Sequence, residues 1–328
     1  MDPQIASREW KFSVRIMDEL ILENEIPSFI LTLFSIFLYT SGALTMATVP
    51  FFTYAVIFKS GQKMSSYRYL LLAYVPFAML STIVITSTQP IFLRQVEGFY
   101  FIGFINVGRQ YLALVTIITI MICDGAVADL LLVILVNRYE LVSETIVTRS
   151  KYIFRLIYIF LFITWLISLF LWLVFMTHEL YPPRINSIGL SITRIYVPYT
   201  VFYQLSRLIS FFLIVYLNIS FRKNITSKAV MKLHGMLTKA VIAHVLCTCI
   251  LTRFPMLIVL IAVYIQNVFI TNVIAECTIC CLNVVFLSDM LVTFYHVKPY
   301  RIFVLQLFRR FTSTEDYLLS VYKAVLSI

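Results

Sequence analysis

The chain has 328 residues, of which 61% are hydrophobic and 13% charged, and its formal net charge is +10. A mean hydropathy of +0.91 lies far from the balance of a water-soluble domain and excludes that class. In a soluble protein the positive charge would suggest nucleic acid. Here it lies in loops beside apolar segments, so anionic lipid and an acidic partner are the expected counterparts, and no nucleic acid.

Seven long apolar segments follow one another at 28–57, 69–93, 111–136, 156–176, 197–219, 240–264 and 270–295. Each reaches the roughly 20 residues needed to cross a hydrocarbon core as a helix. Backbone amides in lipid must be bonded within their own segment, so helix is the economical conformation for every run. The first run is longer than a crossing requires and is expected to tilt or project. Its polar lead of 26 residues lacks a cleavable signal peptide, so it should serve as an uncleaved signal anchor. The expected fold is an all-α membrane protein, a seven-transmembrane helix bundle over 28–295. Residues 1–27 form a tail, and 296–328 form a short amphipathic helix and a second tail.

Basic residues orient the bundle. The odd-numbered side holds Arg8, Lys11, Arg15, Arg94, Arg109, Arg184 and Arg194, seven in all. The other side holds seventeen, and Arg207 and Arg253 inside segments complete the 26 Lys and Arg of the chain. The positive-inside bias places the N-terminus outside and the C-terminus in the cytoplasm, in a multi-pass plasma-membrane protein.

All six cysteines (Cys123, Cys247, Cys249, Cys277, Cys280 and Cys281) fall inside segments, where small buried hydrophobes are the plain reading. Cys277, Cys280 and Cys281 lack the second polar cluster or histidine that a metal spacing would need, and no metal or cofactor is expected.

A charge stranded in hydrocarbon is costly, so ionisable residues within segments mark candidate function. These are Asp124 and Asp129 in the third, Arg207 in the fifth, Arg253 in the sixth, and Glu276 and Asp289 in the seventh. His244 can stay neutral. Asp124 and Asp129 stand about 140° apart around a helix and cannot readily share one partner. By depth, Asp124, Arg207, Arg253 and Glu276 are the candidate ligand-cavity residues, with Asp129 and Asp289 nearer the inner end. Arg253 or Arg207 is expected to pair with Glu276 or Asp124, either as a switchable contact or as a fixed pair that orders the bundle. Glu276, Cys280 and Asn283 form one polar stripe, and Thr116, Thr119 and Cys123 another, both suited to interhelical hydrogen bonds. Pro255 should kink the sixth segment and is the candidate hinge, whereas Pro76 and Pro198 are read as static kinks. The aromatic stretch 99–107 is too short to span and is expected to cover the outer mouth.

Three stretches then carry a likeness. Lys59-Ser60-Gly61-Gln62-Lys63-Met64 with Tyr67-Arg68-Tyr69-Leu70-Leu71 follows the first segment. The third opens Gln110-Tyr111-Leu112 and closes Val136-Asn137-Arg138-Tyr139. The seventh closes Tyr295-His296-Val297-Lys298-Pro299-Tyr300-Arg301. In order and spacing this resembles the nematode serpentine chemoreceptors of the Str superfamily, class H above the others, over most of 28–311. Gly61 stands where that family has proline, Arg68 where it has lysine, and Val136 where an acid often precedes Asn-Arg.

The resemblance implies a G-protein-coupled chemosensory receptor of sensory-neuron cilia. Its partners would be a small environmental chemical or pheromone, a heterotrimeric G protein and the lipid bilayer, with receptor self-association left open. The inner-face candidates for the G protein are Arg138, Tyr139, Lys228, Lys232, Lys239 and Arg301. Residues 222–239 carry five basic residues and no acid, a pattern that a solvated positive-inside loop would share. Residues 301–311 alternate apolar and basic positions, as a helix lying on the inner leaflet does.

An enzyme is not expected, because the four histidines are scattered and neither HExxH nor a glycine-rich phosphate loop occurs. The alternative is a transporter or a ligand-gated channel of seven-span type. Transporters often carry inverted repeats, which are not visible here.

Overall fold

The computed structural model describes residues 26–60, 64–93, 98–105, 110–143, 155–156, 158–167, 170, 187–189, 205, 207–210, 212, 216, 228–265, 267–307 and 309. The elements are α1 (Ser28–Phe58), α2 (Ser65–Thr88), β1 (Pro90–Leu93), β2 (Gly98–Phe101), α3 (Gln110–Ser143), α4 (Tyr158–Ile167) and β3 (Ser187–Gly189). After them come α5 (Lys228–Thr248), a π-helical turn (Cys249–Arg253), α6 (Phe254–Ile265), α7 (Val268–His296) and α8 (298–307).

Among the described residues, five helices are long and apolar enough to cross a membrane: α1, Tyr67–Thr88 of α2, Val115–Ile134 of α3, Thr238–Val259 across the π turn, and α7. The molecule is a helical membrane protein. Large apolar side chains such as Phe29, Leu44, Phe162, Ile250, Ile261 and Leu291 are exposed on it. That surface suits lipid as solvent and would be a liability in water. The expected fourth crossing is represented by the ten-residue apolar helix α4. Among the described residues, the expected fifth is represented by helical residues at 205, 207–210, 212 and 216. The tails 1–25 and 311–328 lie outside the described residues.

Several expected boundaries are corrected. Helix α2 stops at Thr88, five residues before the apolar run does, because Gln89 takes a left-handed backbone (φ 45°) and Pro90 follows it. Proline disfavours helix in the preceding residue, and the chain leaves as strand β1. Helix α3 continues past the apolar limit to Ser143. Residues 228–239, read as loop, are the first turns of α5. Lysine, alanine, leucine and methionine are all good helix formers, and a helix entering the headgroup layer needs no further apolar residues.

Strands β1, β2 and β3 make an antiparallel sheet in that order, pairing Ile91 with Tyr100 and Phe99 with Ile188. The sheet joins the α2–α3 connection to the one after α4, at the end where α1 and α7 begin, here called the upper end. The aromatic cover expected from 99–107 is in part this sheet: Phe101 is buried, and exposed Phe104 stacks on Tyr39 at 6.3 Å between centroids. A Cβ at Gly103 would fall 2.1 Å from the Ser87 carbonyl. Glycine is what lets the chain after β2 fold back, with Gly103 N–H donating to Thr88 O at 3.0 Å.

Helix α7 is the centre of the bundle, touching α1, α2, α5, α6 and β1. Its start is capped by Asn267, whose Oδ1 accepts from the Ile270 amide at 3.0 Å. Helices α1 and α2 meet closely at Gly42, where a Cβ would lie 2.5 Å from Thr86 Oγ1. At the lower end Tyr300 is fully buried, with its hydroxyl 2.6 Å from Ser60 Oγ, and Phe303 packs on Tyr54. The turn after α1 and the Lys298-Pro299-Tyr300 stretch, two of the three likeness-bearing regions, are therefore in contact. Helix α8 turns Tyr300, Phe303, Val304 and Leu307 toward the bundle and leaves Arg301, Ile302 and Leu305 exposed.

Candidate functional site: two polar clusters astride a π turn

Pro255 was expected to kink the sixth crossing. The structure places its effect one turn earlier, as the π turn Cys249–Arg253. Proline has no amide hydrogen to give the carbonyl four residues back, and here the helix widens instead, with the Phe254 N–H reaching Cys249 O. Pro50 inside α1, not singled out from the sequence, leaves that helix unbroken, as Pro76 leaves α2.

Arg253 closes the π turn at its upper end, and Arg207 shares a cleft with it. Arg253 Nη1 is 3.5 Å from Asp124 Oδ2 on α3. Arg207 Nη2 donates to Asp129 Oδ2 at 2.9 Å and to the Leu161 carbonyl of α4 at 3.3 Å. The expected pairing of Arg253 with Asp124 is present, whereas Arg207 pairs with Asp129, a residue left out of the candidate site. Each aspartate thus has its own arginine, as their separation around α3 requires. Arg207 and Arg253 line one cleft, so the two ion pairs are neighbours and the four residues form one cluster.

Glu276 does not belong to it. The residue is buried beneath β1 and neither carboxyl oxygen has a hydrogen-bond partner among the described residues, the Phe92 amide being the polar group nearest to that role. The four-residue ligand cavity expected from depth therefore divides, with Asp124, Arg207 and Arg253 together and Glu276 apart. Depth along a helix says nothing about which side a residue faces.

Below the turn lies a cluster that sequence reading passed over. His244 Nδ1 approaches Asp289 Oδ1 at 3.1 Å, and its Nε2 is 2.7 Å from Thr293 Oγ1. Tyr74 on α2 donates its hydroxyl to Asp289 Oδ2. Thr293 directs its own proton to the Asp289 carbonyl at 2.9 Å, which leaves its oxygen to accept from Nε2–H. The approach of Nδ1 to Oδ1 is then attractive when one of the two carries a proton. Three helices, α2, α5 and α7, are tied at this point, and His244, Asp289 and Thr293 are each 2% exposed or less.

A third knot binds α1, α2 and α7. Asn283 Nδ2 donates to Ser41 Oγ at 2.8 Å and to Leu38 O at 3.3 Å, while Thr86 donates to Asn283 Oδ1 at 3.2 Å. Of the α7 stripe, Asn283 thus makes the interhelical bonds expected of it, whereas Glu276 makes none among the described residues. The α3 stripe does not, because Thr116 and Thr119 donate to the carbonyls of Leu112 and Val115 on their own helix. The cysteines are six free thiols, with Cys123 and Cys249 buried and Cys277 exposed.

Among the inner-face candidates, Lys239 and Arg301 are exposed at the lower end. Arg138 and Tyr139 stand in the last turns of α3 and Lys228 and Lys232 in the first turns of α5, with side chains outside the described residues. Positions 228, 232 and 239 fall within about 40° of one another at 100° per residue, one stripe that the loop reading could not reveal. Among the described residues no group of three His, Cys, Asp or Glu side chains is placed to hold a metal ion. No protein-family model and no curated protein matches the chain.

Proposed function

We propose that the chain is a G-protein-coupled chemosensory receptor of the Str superfamily, most like class H. It crosses the plasma membrane of sensory cilia seven times, N-terminus outside and C-terminus in the cytoplasm. It detects a small environmental chemical or pheromone and passes the signal to a heterotrimeric G protein.

One observation carries the reading. The sixth crossing is held to α3 by Arg253, the last residue of the π turn, and to α7 by His244 below it, where Asp289 also takes the Tyr74 hydroxyl of α2. A helix with a break in its hydrogen-bond ladder and separate polar ties on each side can swing its lower half without unseating the upper half. A ligand that binds the upper part better in one arrangement shifts that equilibrium, and a partner at the lower end reads the result. The lysine stripe of α5 and the end of α3 with Arg138 flank the space such a swing would open, and Arg138 would offer donors to carbonyls of the partner there.

A ligand screen on cells expressing the chain, read as calcium or cAMP, tests this. An Arg138→Ala variant delivered normally to the surface should lose at least about nine-tenths of the evoked signal. Full signalling by that variant would remove Arg138 from the coupling surface. Responses surviving G-protein inactivation would favour a ligand-gated channel. Substrate uptake without signalling would favour a transporter.

A further inference from the structure

Of the upper cluster, Arg207 and Arg253 line a cleft between α3, the helical segment of Arg207 and the sixth crossing, with Leu131, Leu132, Val245 and Thr248 among its other walls. Arg253 is 8% exposed, yet its single ionic contact among the described residues is the 3.5 Å approach to Asp124, and Nη2 has no hydrogen-bond partner. A guanidinium has five N–H donors, and a buried one is normally satisfied by several acceptors. Thr248 Oγ1, on the same wall, is also buried without a hydrogen-bond partner among the described residues. Asp124 by contrast is the more open member of the pair, its side chain 23% exposed against 10% for Arg253. The cleft therefore offers unmet donors at one place and leucine and valine around them.

Resting on the receptor reading above, we propose that this cleft binds a small organic acid with a short apolar tail. Its carboxylate accepts from the Arg253 fork and from the Thr248 hydroxyl, and its tail lies along Leu131, Leu132 and Val245. Bidentate contact between guanidinium and carboxylate is stronger than the single long approach that Asp124 makes. The ligand would displace Asp124 from Arg253 and release the tie between α3 and the sixth crossing. An amine would meet two arginines at this place, and a neutral alcohol would leave the fork unmet.

The test uses the full chain in lipid nanodiscs with hexanoate as probe, against hexanamide, hexanol and hexylamine, read by thermal shift and by direct binding. Hexanoate should stabilise the chain and the other three should not. Arg253→Gln should weaken hexanoate at least about tenfold, the loss expected for a charge-assisted hydrogen bond. Asp124→Asn, which removes the competing carboxylate, should tighten hexanoate several-fold and leave hexylamine without effect. It keeps the test decisive even if Arg253→Gln does not fold. Equal stabilisation by hexanoate and hexanamide, or hexanoate binding unchanged in Asp124→Asn, would overturn the proposal. Because the readout needs no G protein, hexanoate binding without signalling would count against the receptor and not against the cleft. Signalling evoked by a neutral compound and indifferent to Arg253→Gln would count the other way.

Discussion

The two polar clusters on the sixth crossing are built from similar residues and held very differently. Below the π turn, Asp289 meets His244, Tyr74 and its own Thr293, with His244 and Asp289 side chains 3% and 1% exposed. At its upper end, Arg253 has one long contact to an aspartate that is partly open. Both clusters keep unmet polar atoms among the described residues, His244 Nδ1 and Asp289 Oδ1 below and Arg253 Nη2 above. The lower one is sealed among three helices, whereas the upper one opens on a cleft. The lower cluster is a fastening. The upper one is a place where a ligand has donors to satisfy.

If that distinction is right, variants should sort by it. Asp289→Leu should be the most damaging, about 3 kcal/mol of lost stability in thermal unfolding in nanodiscs, because it strands both His244 and Tyr74 in a dry interior. A loss below about 1 kcal/mol would mean that water reaches the cluster. Arg207→Met should follow at about 2 kcal/mol, since Asp129 is left buried in the bundle without the guanidinium that donates to it. Arg253→Gln should be the mildest, within about 1 kcal/mol, because the glutamine amide can still donate to Asp124 in place of a single 3.5 Å contact. A ranking with Arg253 first would erase the contrast between the clusters.

Much of the frame was legible because lipid imposes one rule on every backbone group, and long apolar runs have one good answer to it. Helices α1 and α7 show where that rule stops. Both are long and apolar enough to cross a membrane, yet α1 is a peripheral helix with many exposed side chains and α7 is the hub. The polar residues of α7 could have said so: Asp289 lies about 140° around the helix from Glu276, and a helix polar on two sides needs neighbours on both. The His244–Asp289 contact joins residues 45 positions apart on different helices, and no periodicity on either helix encodes it. The end of α2 was legible in Gln89-Pro90 and was overridden by the apolar residues that follow. The helical start of α5 was hidden because positive charge reads as loop when only hydropathy is followed.

All of these assignments stand on an odd number of crossings with the lysine-rich ends on the cytoplasmic side. The most direct measurement puts one epitope at each terminus of the full chain and stains cells before and after permeabilisation. The account predicts that the N-terminal tag is reached on intact cells and the C-terminal tag only after permeabilisation. Both tags answering under the same condition would contradict it.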